Sequence, residues 1–238
     1  MIPDDWIAPP DLKTATHAQR AIAAAAESGD RLDAVRLVAG VDTSMKWRDS
    51  RGPIHAAVAP FGWPDREVRP AATATLVPPF PYVSGYLGFR EVPALLAAWE
   101  TLREKPQLLV VDGQGRAHPR RCGIAVQLGV VLDVPTIGSA KSLLCGEVGG
   151  TVGPDPGDRA ALVDRGEIVG MALRTRAGAA PIYVSAGHRI SLETAVAWVM
   201  ALADGRRLPL PIRLAHEAAN AARRAADAGG APSPAHLA

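Results

Sequence analysis

The sequence has few cysteines, few lysines and a small net charge. Its two cysteines, Cys122 and Cys145, form no CxxC pair and have no histidine-rich surroundings, so we expect neither a disulfide framework nor a zinc site. The 26 basic and 24 acidic residues leave a net charge of only +2. Affinity for nucleic acid would therefore have to come from local clusters of charge. Lysine occurs only four times, which draws attention to Lys141.

The sequence also lacks the patterns of a signal peptide and of a membrane span. A basic start followed by an apolar core is absent, and no uninterrupted apolar run reaches membrane-spanning length. We therefore expect a protein that is neither secreted nor embedded in a membrane. A reducing cytoplasm fits the two cysteines best.

The composition that remains is that of an ordinary globular protein, with 48% hydrophobic and 21% charged residues. A chain of 238 residues is long enough to bury a sizeable core, and one domain is the default expectation. We predict that this domain covers residues 1–228. A tail rich in glycine, proline and alanine, residues 229–238, should be flexible.

Apolar periodicity predicts helices and strands in alternation. An alanine-rich segment with a polar face, residues 11–28, predicts a helix, and short apolar stretches within residues 54–77 predict an antiparallel meander. Further helices are predicted over residues 87–103, 123–132, 191–203 and 212–226. Further strands are predicted over residues 37–41, 108–111, 135–137, 168–174 and 182–185. Together these elements predict one α/β domain with a mixed sheet flanked by helices.

Two of the predicted strands are each followed directly by an aspartate. Asp42 follows the strand over residues 37–41, and Asp112 follows the strand over residues 108–111. An isolated ionised carboxylate is costly to bury, so it usually meets a metal, a cation or backbone N–H groups. Turns are the alternative at both places, an Asx turn at Asp42 and a tight Asp-Gly turn at Asp112. Glu91, taken alone, fits a solvated helix position equally well.

Taken together, the acids favour phosphoryl-transfer chemistry. Carboxylates on neighbouring elements are hard oxygen ligands suited to Mg²⁺, which keeps several waters and binds through few carboxylates plus substrate phosphate. A pair of such ions, about 3.5–4 Å apart, would activate an attacking water and stabilise the leaving oxygen. The number of ions is not set by the sequence.

Six short motifs occur at compatible spacings along nearly the whole chain. They are VAGVDTS (38–44), PYVSGYLGFRE (81–91), DGQGRAHPRRCGIA (112–125), TIGSAKS (136–142), YVSAGH (183–188) and RLPLPIRLAH (207–216). In this order they resemble the endonuclease V family. Any one of the motifs would be a weak signal, but six together make coincidence very unlikely.

The resemblance implies a ribonuclease H-like fold and a defined reaction. It implies Mg²⁺-dependent cleavage, with Mn²⁺ a plausible substitute, of a strand that contains a deaminated base, chiefly hypoxanthine. The cut would fall at the second phosphodiester bond on the 3′ side of the base and leave 3′-hydroxyl and 5′-phosphate ends. The implied partner is DNA with deaminated bases, with inosine-containing RNA an open alternative, and no nucleotide cofactor is expected.

The resemblance also assigns the catalytic residues. Asp42, Glu91 and Asp112 fall on the family's metal-binding acids, and Lys141 and His216 on further active-site positions. Lys141 would orient water or stabilise phosphate charge, with an exposed surface lysine as the alternative. His216 would belong to the metal shell or handle a proton, although an ordinary helix histidine is the commoner case.

Lesion recognition is implied at a second group of residues. Tyr82 would be a wedge that fills the gap left by the flipped base, because an aromatic ring can offset the cost of unstacking. Val83 and Ser84 depart here from the family's Pro-Tyr-Ile-Pro, so one rigid proline is missing. Glycines would let the base approach main-chain groups, with turn formation as the alternative. The implied lesion-binding residues are Tyr82, Gly85, Leu87, Gly113, Gly115, His118, Arg120, Gly123 and Ile124.

Rival functions find less support in the sequence. A dinucleotide-binding motif starting at Gly113 would need a third glycine where His118 stands. A phosphatase using Asp42 as nucleophile would need an aspartate where Ser44 stands. The remaining alternative is a module that binds lesions without cutting them, and the intact set of acids argues against it.

Overall fold

Residues 2–46, 49 and 51–229 are described by the computed structural model, and they form a sheet with helices on both faces. After a short 3-10 helix, Asp4–Trp6, the helices are α1 (Leu12–Ala25), α2 (Gly88–Glu100), α3 (Ile124–Leu132), α4 (Leu192–Leu202) and α5 (Leu210–Gly229). The strands are β1 (Leu37–Ser44), β2 (Ile54–Gly62), β3 (Ala72–Leu76), β4 (Leu108–Val111), β5 (Thr136–Ala140), β6 (Glu147–Val148), β7 (Arg159–Asp164), β8 (Glu167–Leu173) and β9 (Ile182–Ala186).

The described strands form one mixed sheet in the order β3-β2-β1-β4-β5-β9-β8-β7-β6. The three central strands β1, β4 and β5 are parallel, and the flanking pairs on both sides are antiparallel. This arrangement confirms the predicted mixed-sheet α/β fold, with a meander first and βα units after it.

Most predicted elements are confirmed, and the differences concern strand length and one hairpin arm. The aspartate at position 42 lies inside β1, which continues to Ser44, so the predicted end at residue 41 and the Asx-turn alternative are both wrong. Strand β5 extends to Ala140, beyond the predicted residue 137. Strands β6 and β7 were not predicted, because β6 has two residues and β7 is mostly half-exposed, without a continuous apolar run. In the predicted tail, Gly229 ends α5, and residues 230–238 lie outside the described residues.

The two faces of the sheet bury different helices. Side chains alternate along a strand, so Val38 and Val110 pack with Ile212 of α5, whereas Ala39 and Leu109 pack with Leu95 of α2. Both faces of the central strands are therefore covered. This explains why β4 reads as an unbroken apolar run.

Among the described residues, no helix combines the length and the apolar character needed to cross a membrane. The two cysteines are free thiols, Cys122 buried and Cys145 half-buried. The cytoplasmic location stays a prediction.

The N-terminal end of α5 lies directly on β1 at Gly40. A Cβ at this position would overlap the carbonyl group of Pro211, so only a glycine allows this approach. The contact sets where the rest of α5 lies along β1. The next residue on the same face of β1, Asp42, therefore meets a side chain of this helix.

We predict that Gly40→Ala destabilises the protein by about 1–3 kcal/mol, because the added methyl group forces the α5 backbone away from β1. Denaturant unfolding followed by circular dichroism measures the change. Gly29→Ala is the matched control, since a Cβ there meets nothing within 4 Å. Equal stability of the two variants would contradict the close approach.

Candidate active site

Two aspartates lie side by side at one edge of the central sheet. Strands β1 and β4 are parallel neighbours with Val41 opposite Val111, so the residues that follow, Asp42 and Asp112, come together. The backbone N–H of Asp112 donates to the carbonyl of Val41 over 2.8 Å and fixes this register. Both carboxylates are largely buried, with side chains about 10% exposed.

Helix α5 adds a histidine to the pair. Nδ1 of His216 lies 2.8 Å from Oδ2 of Asp42. Asp42, Asp112 and His216 each offer a ligand atom, and these atoms all lie within 4.8 Å of one another. The sequence placed His216 in a helix, and the structure brings its half-exposed ring to the acids.

Glu91 reaches the same edge from the opposite face of the sheet. Because side chains alternate along β1, Thr43 points toward α2, and its hydroxyl donates to Oε1 of Glu91 over 2.7 Å. Glu91 is buried and senses the charges of both aspartates, but it is not part of the group within 4.8 Å. The predicted three-acid set is thus assembled with Glu91 as its outer member. A solvated helix position is wrong for this residue.

Burial and crowding make the site unfavourable for negative charge. Burial, followed by the charge of Asp112, raises the pKa of Asp42 to about 6, although the hydrogen bond with His216 opposes the rise. Burial also raises the pKa of Glu91 to about 7, against the hydrogen bond from Thr43. A nearby cation would favour the ionised forms.

Lys141 supplies a positive charge from the end of β5. Its Nζ forms an ion pair with Oδ2 of Asp112, and its side chain is 40% exposed. Arg207, just before α5, donates from Nη2 to the carbonyl of Lys141 over 3.1 Å and so holds its backbone. Lys141 is therefore joined to the acid cluster.

The donor set fits a hard divalent cation. Carboxylate oxygens are the ligands that Mg²⁺ and Mn²⁺ prefer, and Asp42 and Asp112 present theirs close together beside His216. Asp42 and Asp112 would hold the ion most directly, with Glu91 behind them and His216 bonded to Asp42.

A cavity of about 430 Å³ opens beside the acids. Glu91, Asp112 and Lys141 lie in its wall. Seven of the residues predicted to bind the lesion also line it, namely Tyr82, Gly85, Leu87, Gly113, His118, Gly123 and Ile124. Further lining residues that the sequence did not single out include Gln19, Gln114, Leu143 and Leu144. Leu143 and Leu144 directly follow the TIGSAKS motif, which was the one available signal for them.

Two glycines near the cavity, Gly123 in its wall and Gly138 in β5, pack main chain against main chain. A Cβ at Gly123 would overlap the carbonyl of Gln114, and a Cβ at Gly138 would overlap the backbone N of Gly115. The loop after β4 therefore runs tightly between β5 and the start of α3. Gly115 faces β9, where a Cβ would overlap the carbonyl of Ala186, and it does not line the cavity.

Comparison with known proteins assigns the family. The family model for Endonuclease V matches residues 18–217. An Endonuclease V from Rhodospirillum centenum is 50% identical over 227 residues, which are 95% of each chain. The chain belongs to the endonuclease V family.

Solved members of the endonuclease V family share the fold. The crystal structure of Endonuclease V from Streptomyces avermitilis is 36% identical, with a TM-score of 0.87 over 95% of this chain and 98% of that one. Endonuclease V from Ciona intestinalis, solved with a DNA containing an inosine followed by a ribo-adenosine, is 26% identical. Its TM-score is 0.76, over 90% of this chain and 99% of that one. The ribonuclease H-like fold expected from the motifs is thereby confirmed.

His118 and Arg120, both predicted to bind the lesion, hold the loop at Gly85 in this endonuclease V family member. Gly85, in a left-handed conformation with φ 77°, offers a carbonyl that Arg120 Nη2 approaches at 2.8 Å and His118 Nε2 at 3.0 Å. The Arg120 guanidinium also lies 4.2 Å from the centre of the Tyr86 ring. Arg120 is thus occupied with contacts within the protein, and its part in lesion binding stays a prediction.

The neutral form of His118 suits the same loop contact. Burial, followed by the charge of Arg120, lowers the pKa of His118 to about 4. At neutral pH its Nδ1 can accept from the Arg120 backbone N–H at 3.2 Å while Nε2 donates to Gly85. His118 therefore positions the turn that lines the cavity.

We predict that the metal-free protein loses stability as pH rises. The pKa values of Asp42 and Glu91 are higher in the folded state than their ordinary values of 3.8 and 4.5. The two carboxyl groups thus add to the free energy of unfolding in full while they are protonated, below about pH 4. This contribution is lost as pH rises through about 6 to 7. Thermal unfolding between about pH 5 and about pH 8 should show a Tm that falls by several degrees and is restored by Mg²⁺.

The double variant Asp42→Asn, Glu91→Gln is the control for this pH dependence. Neither replacement titrates, so the decline in Tm attributable to the two groups should disappear, along with the rescue by Mg²⁺. A decline of the same size in the variant would show that other groups cause it.

Proposed function

We propose that this chain is a divalent-metal-dependent endonuclease that recognises deaminated bases, chiefly hypoxanthine. It hydrolyses the second phosphodiester bond 3′ to the base and leaves 3′-hydroxyl and 5′-phosphate ends. The observation that supports this most directly is that predicted catalytic and lesion-binding residues line one cavity. Glu91, Asp112 and Lys141 line the same cavity as the residues that the family's motifs assign to the lesion.

The cavity suits a base that has left its stack. Its volume of about 430 Å³ lies in the range of small-ligand pockets. Its wall contains Gly113 and Gly123, which place main-chain groups there without a side chain of their own. A base with donor and acceptor atoms on its edge can be recognised by such groups after flipping. The inosine in the DNA bound by the Ciona intestinalis relative supports hypoxanthine as that base.

The acid cluster suits hydrolysis of a phosphodiester. Bound Mg²⁺ would supply Lewis-acid stabilisation of phosphate charge and a more acidic water. Asp42 and Asp112 would hold the ion, with Glu91 behind them, and His216 would orient the Asp42 carboxylate. Lys141 carries a charge at the open end of the cluster, where it can stabilise the developing negative charge on phosphate.

A module that binds lesions without cutting them has no specific observation in its favour. Asp42 and Glu91 are buried with raised pKa values, an arrangement that lowers stability unless a ligand compensates it. Groups of this kind cluster at catalytic sites. Cleavage therefore explains the cluster better than binding alone.

We expect the enzyme to cut an oligonucleotide carrying a single inosine, and Asp42→Asn or Asp112→Asn to abolish the cut. Each variant removes a ligand charge that the cation requires. A 5′-labelled strand, with and without Mg²⁺, maps the cut to the nucleotide, and phosphatase treatment of the 3′ fragment identifies its 5′ end.

Matched DNA and RNA oligonucleotides make the same experiment decide between two substrates. Cleavage of the DNA with a cut at the second 3′ bond supports the proposal, whereas cleavage confined to RNA would make this chain an inosine-specific ribonuclease. Retention of inosine-specific binding by a wild-type protein that never cuts would point to the binding module.

We also predict that Tyr82→Ala weakens binding of inosine-containing DNA, while Tyr82→Phe retains it. The Tyr82 ring is 58% exposed at the cavity, and its loop is held where Arg90 Nη1 donates to the Phe80 carbonyl over 2.9 Å. A base–aromatic contact is worth about 1–3 kcal/mol, so a loss of affinity of roughly five- to 160-fold is expected. Anisotropy titrations with inosine-containing and unmodified strands measure it. An equal affinity of Tyr82→Ala and wild type would refute the wedge.

A further inference from the structure

A chain of hydrogen bonds continues from His216 along α5, away from the cavity. Nε2 of His216 lies 2.9 Å from Nδ2 of Asn220, one helical turn further on. Oδ1 of Asn220 accepts from the Ser44 hydroxyl over 2.8 Å, and Ser44 Oγ accepts from Nε of Arg223 over 3.0 Å. Asp227 holds the other side of Arg223 at 3.2 Å. Asn220, Ser44 and Arg223 are not among the predicted site residues.

The arginine at the end of this chain fixes its direction. A guanidinium only donates, so Ser44 Oγ accepts from Arg223 and gives its own single proton to Oδ1 of Asn220. Asn220 must then turn its NH₂ group toward His216, whose Nε2 accepts. In the reversed amide, Ser44 would accept twice, and its proton would have no acceptor among the contacts described.

We propose that Asn220 is a positioning residue that fixes the His216 ring with its proton on Nδ1, facing Asp42. The ring then donates to Oδ2 of Asp42, while the backbone N–H of Thr43 donates to Oδ1 over 2.7 Å. Both oxygens of Asp42 are thereby oriented before any ligand binds. The consequence for catalysis rests on the nuclease function proposed above.

The architecture explains why these residues meet. Ser44 is two residues beyond Asp42 and so lies on the same face of β1. Asn220 is four residues beyond His216 and lies on the same face of α5. The strand and the helix run along each other, so one pair of contacts, Asp42 with His216, is followed by a second, Ser44 with Asn220.

The tautomer can be measured without any activity. Long-range ¹H–¹⁵N correlation spectra of metal-free protein labelled at its six histidines report which ring nitrogen of His216 carries the proton. His216→Gln assigns the signals. We expect a protonated Nδ1 and a bare Nε2 in the wild type, and a mixture of tautomers in Asn220→Leu, which cannot donate to Nε2.

Kinetics test the consequence for catalysis. Asn220→Leu should lower kcat for inosine-directed cleavage roughly tenfold or more, the size of effect typical of residues that orient metal ligands. KM should stay within about twofold, because Asn220 does not line the cavity. Ala221→Leu adds the same side chain at the neighbouring exposed position of α5 and should behave as wild type.

A second pair of variants separates positioning from folding. Ser44→Ala removes the hydroxyl that orients the Asn220 amide and should shift the tautomer and kcat in the same direction. Ser44→Thr keeps a hydroxyl and should restore both. This pair also provides the test if Asn220→Leu fails to fold.

The outcomes distinguish this proposal from the nuclease function. A proton on Nε2 of His216 in the wild type, or unchanged ring signals in Asn220→Leu, would overturn the positioning role whatever the activity. A wild-type protein that does not cut would overturn the nuclease function and leave the tautomer result standing. A changed tautomer with unchanged kcat would overturn the catalytic consequence.

Discussion

The pairing of parallel strands β1 and β4 is the constraint on which the rest of the site depends. It places Asp42 and Asp112 at one edge of a sheet covered on both faces, where each carboxylate loses water and faces the charge of the other. Like charges in such a place lower the stability of the folded chain unless something offsets them. Lys141 and His216 each contact one of the two acids and do part of this. The remaining negative charge is what a divalent cation would neutralise.

Because side chains alternate along β1, consecutive residues of this strand contact two different helices. Asp42 faces α5 and Thr43 faces α2, so consecutive residues connect the site to opposite faces of the sheet. Thr43 connects β1 to Glu91, and Gly40 lets α5 lie on the strand where His216 meets Asp42. Strand β1 thus holds Asp42 and Thr43, and the two helices bring His216 and Glu91 to them.

Much of this arrangement could be predicted from the sequence, because it depends on local patterns. Apolar runs followed by aspartate predicted β1 and β4, and His216 was predicted to lie in a helix. The role of Arg120 could not be predicted, since its partner Gly85 is 35 residues away and only the folded chain brings their atoms together. The hydrogen bonds beyond His216 were missed for the same reason, because Ser44 and Asn220 are 176 residues apart.

The loop after β4 couples recognition to chemistry. Asp112 starts this loop, Gly113 and Gly123 line the cavity, and the glycines leave no room between the loop, β5 and α3. A change that widens the cavity by moving this backbone would therefore also move Asp112 relative to Asp42. Leu143 and Leu144 line the same cavity from the segment that follows Lys141, and Gln114 of the glycine loop donates to the Ser142 carbonyl in that segment. A change in the glycine loop therefore affects the cavity wall and the position of the acids together.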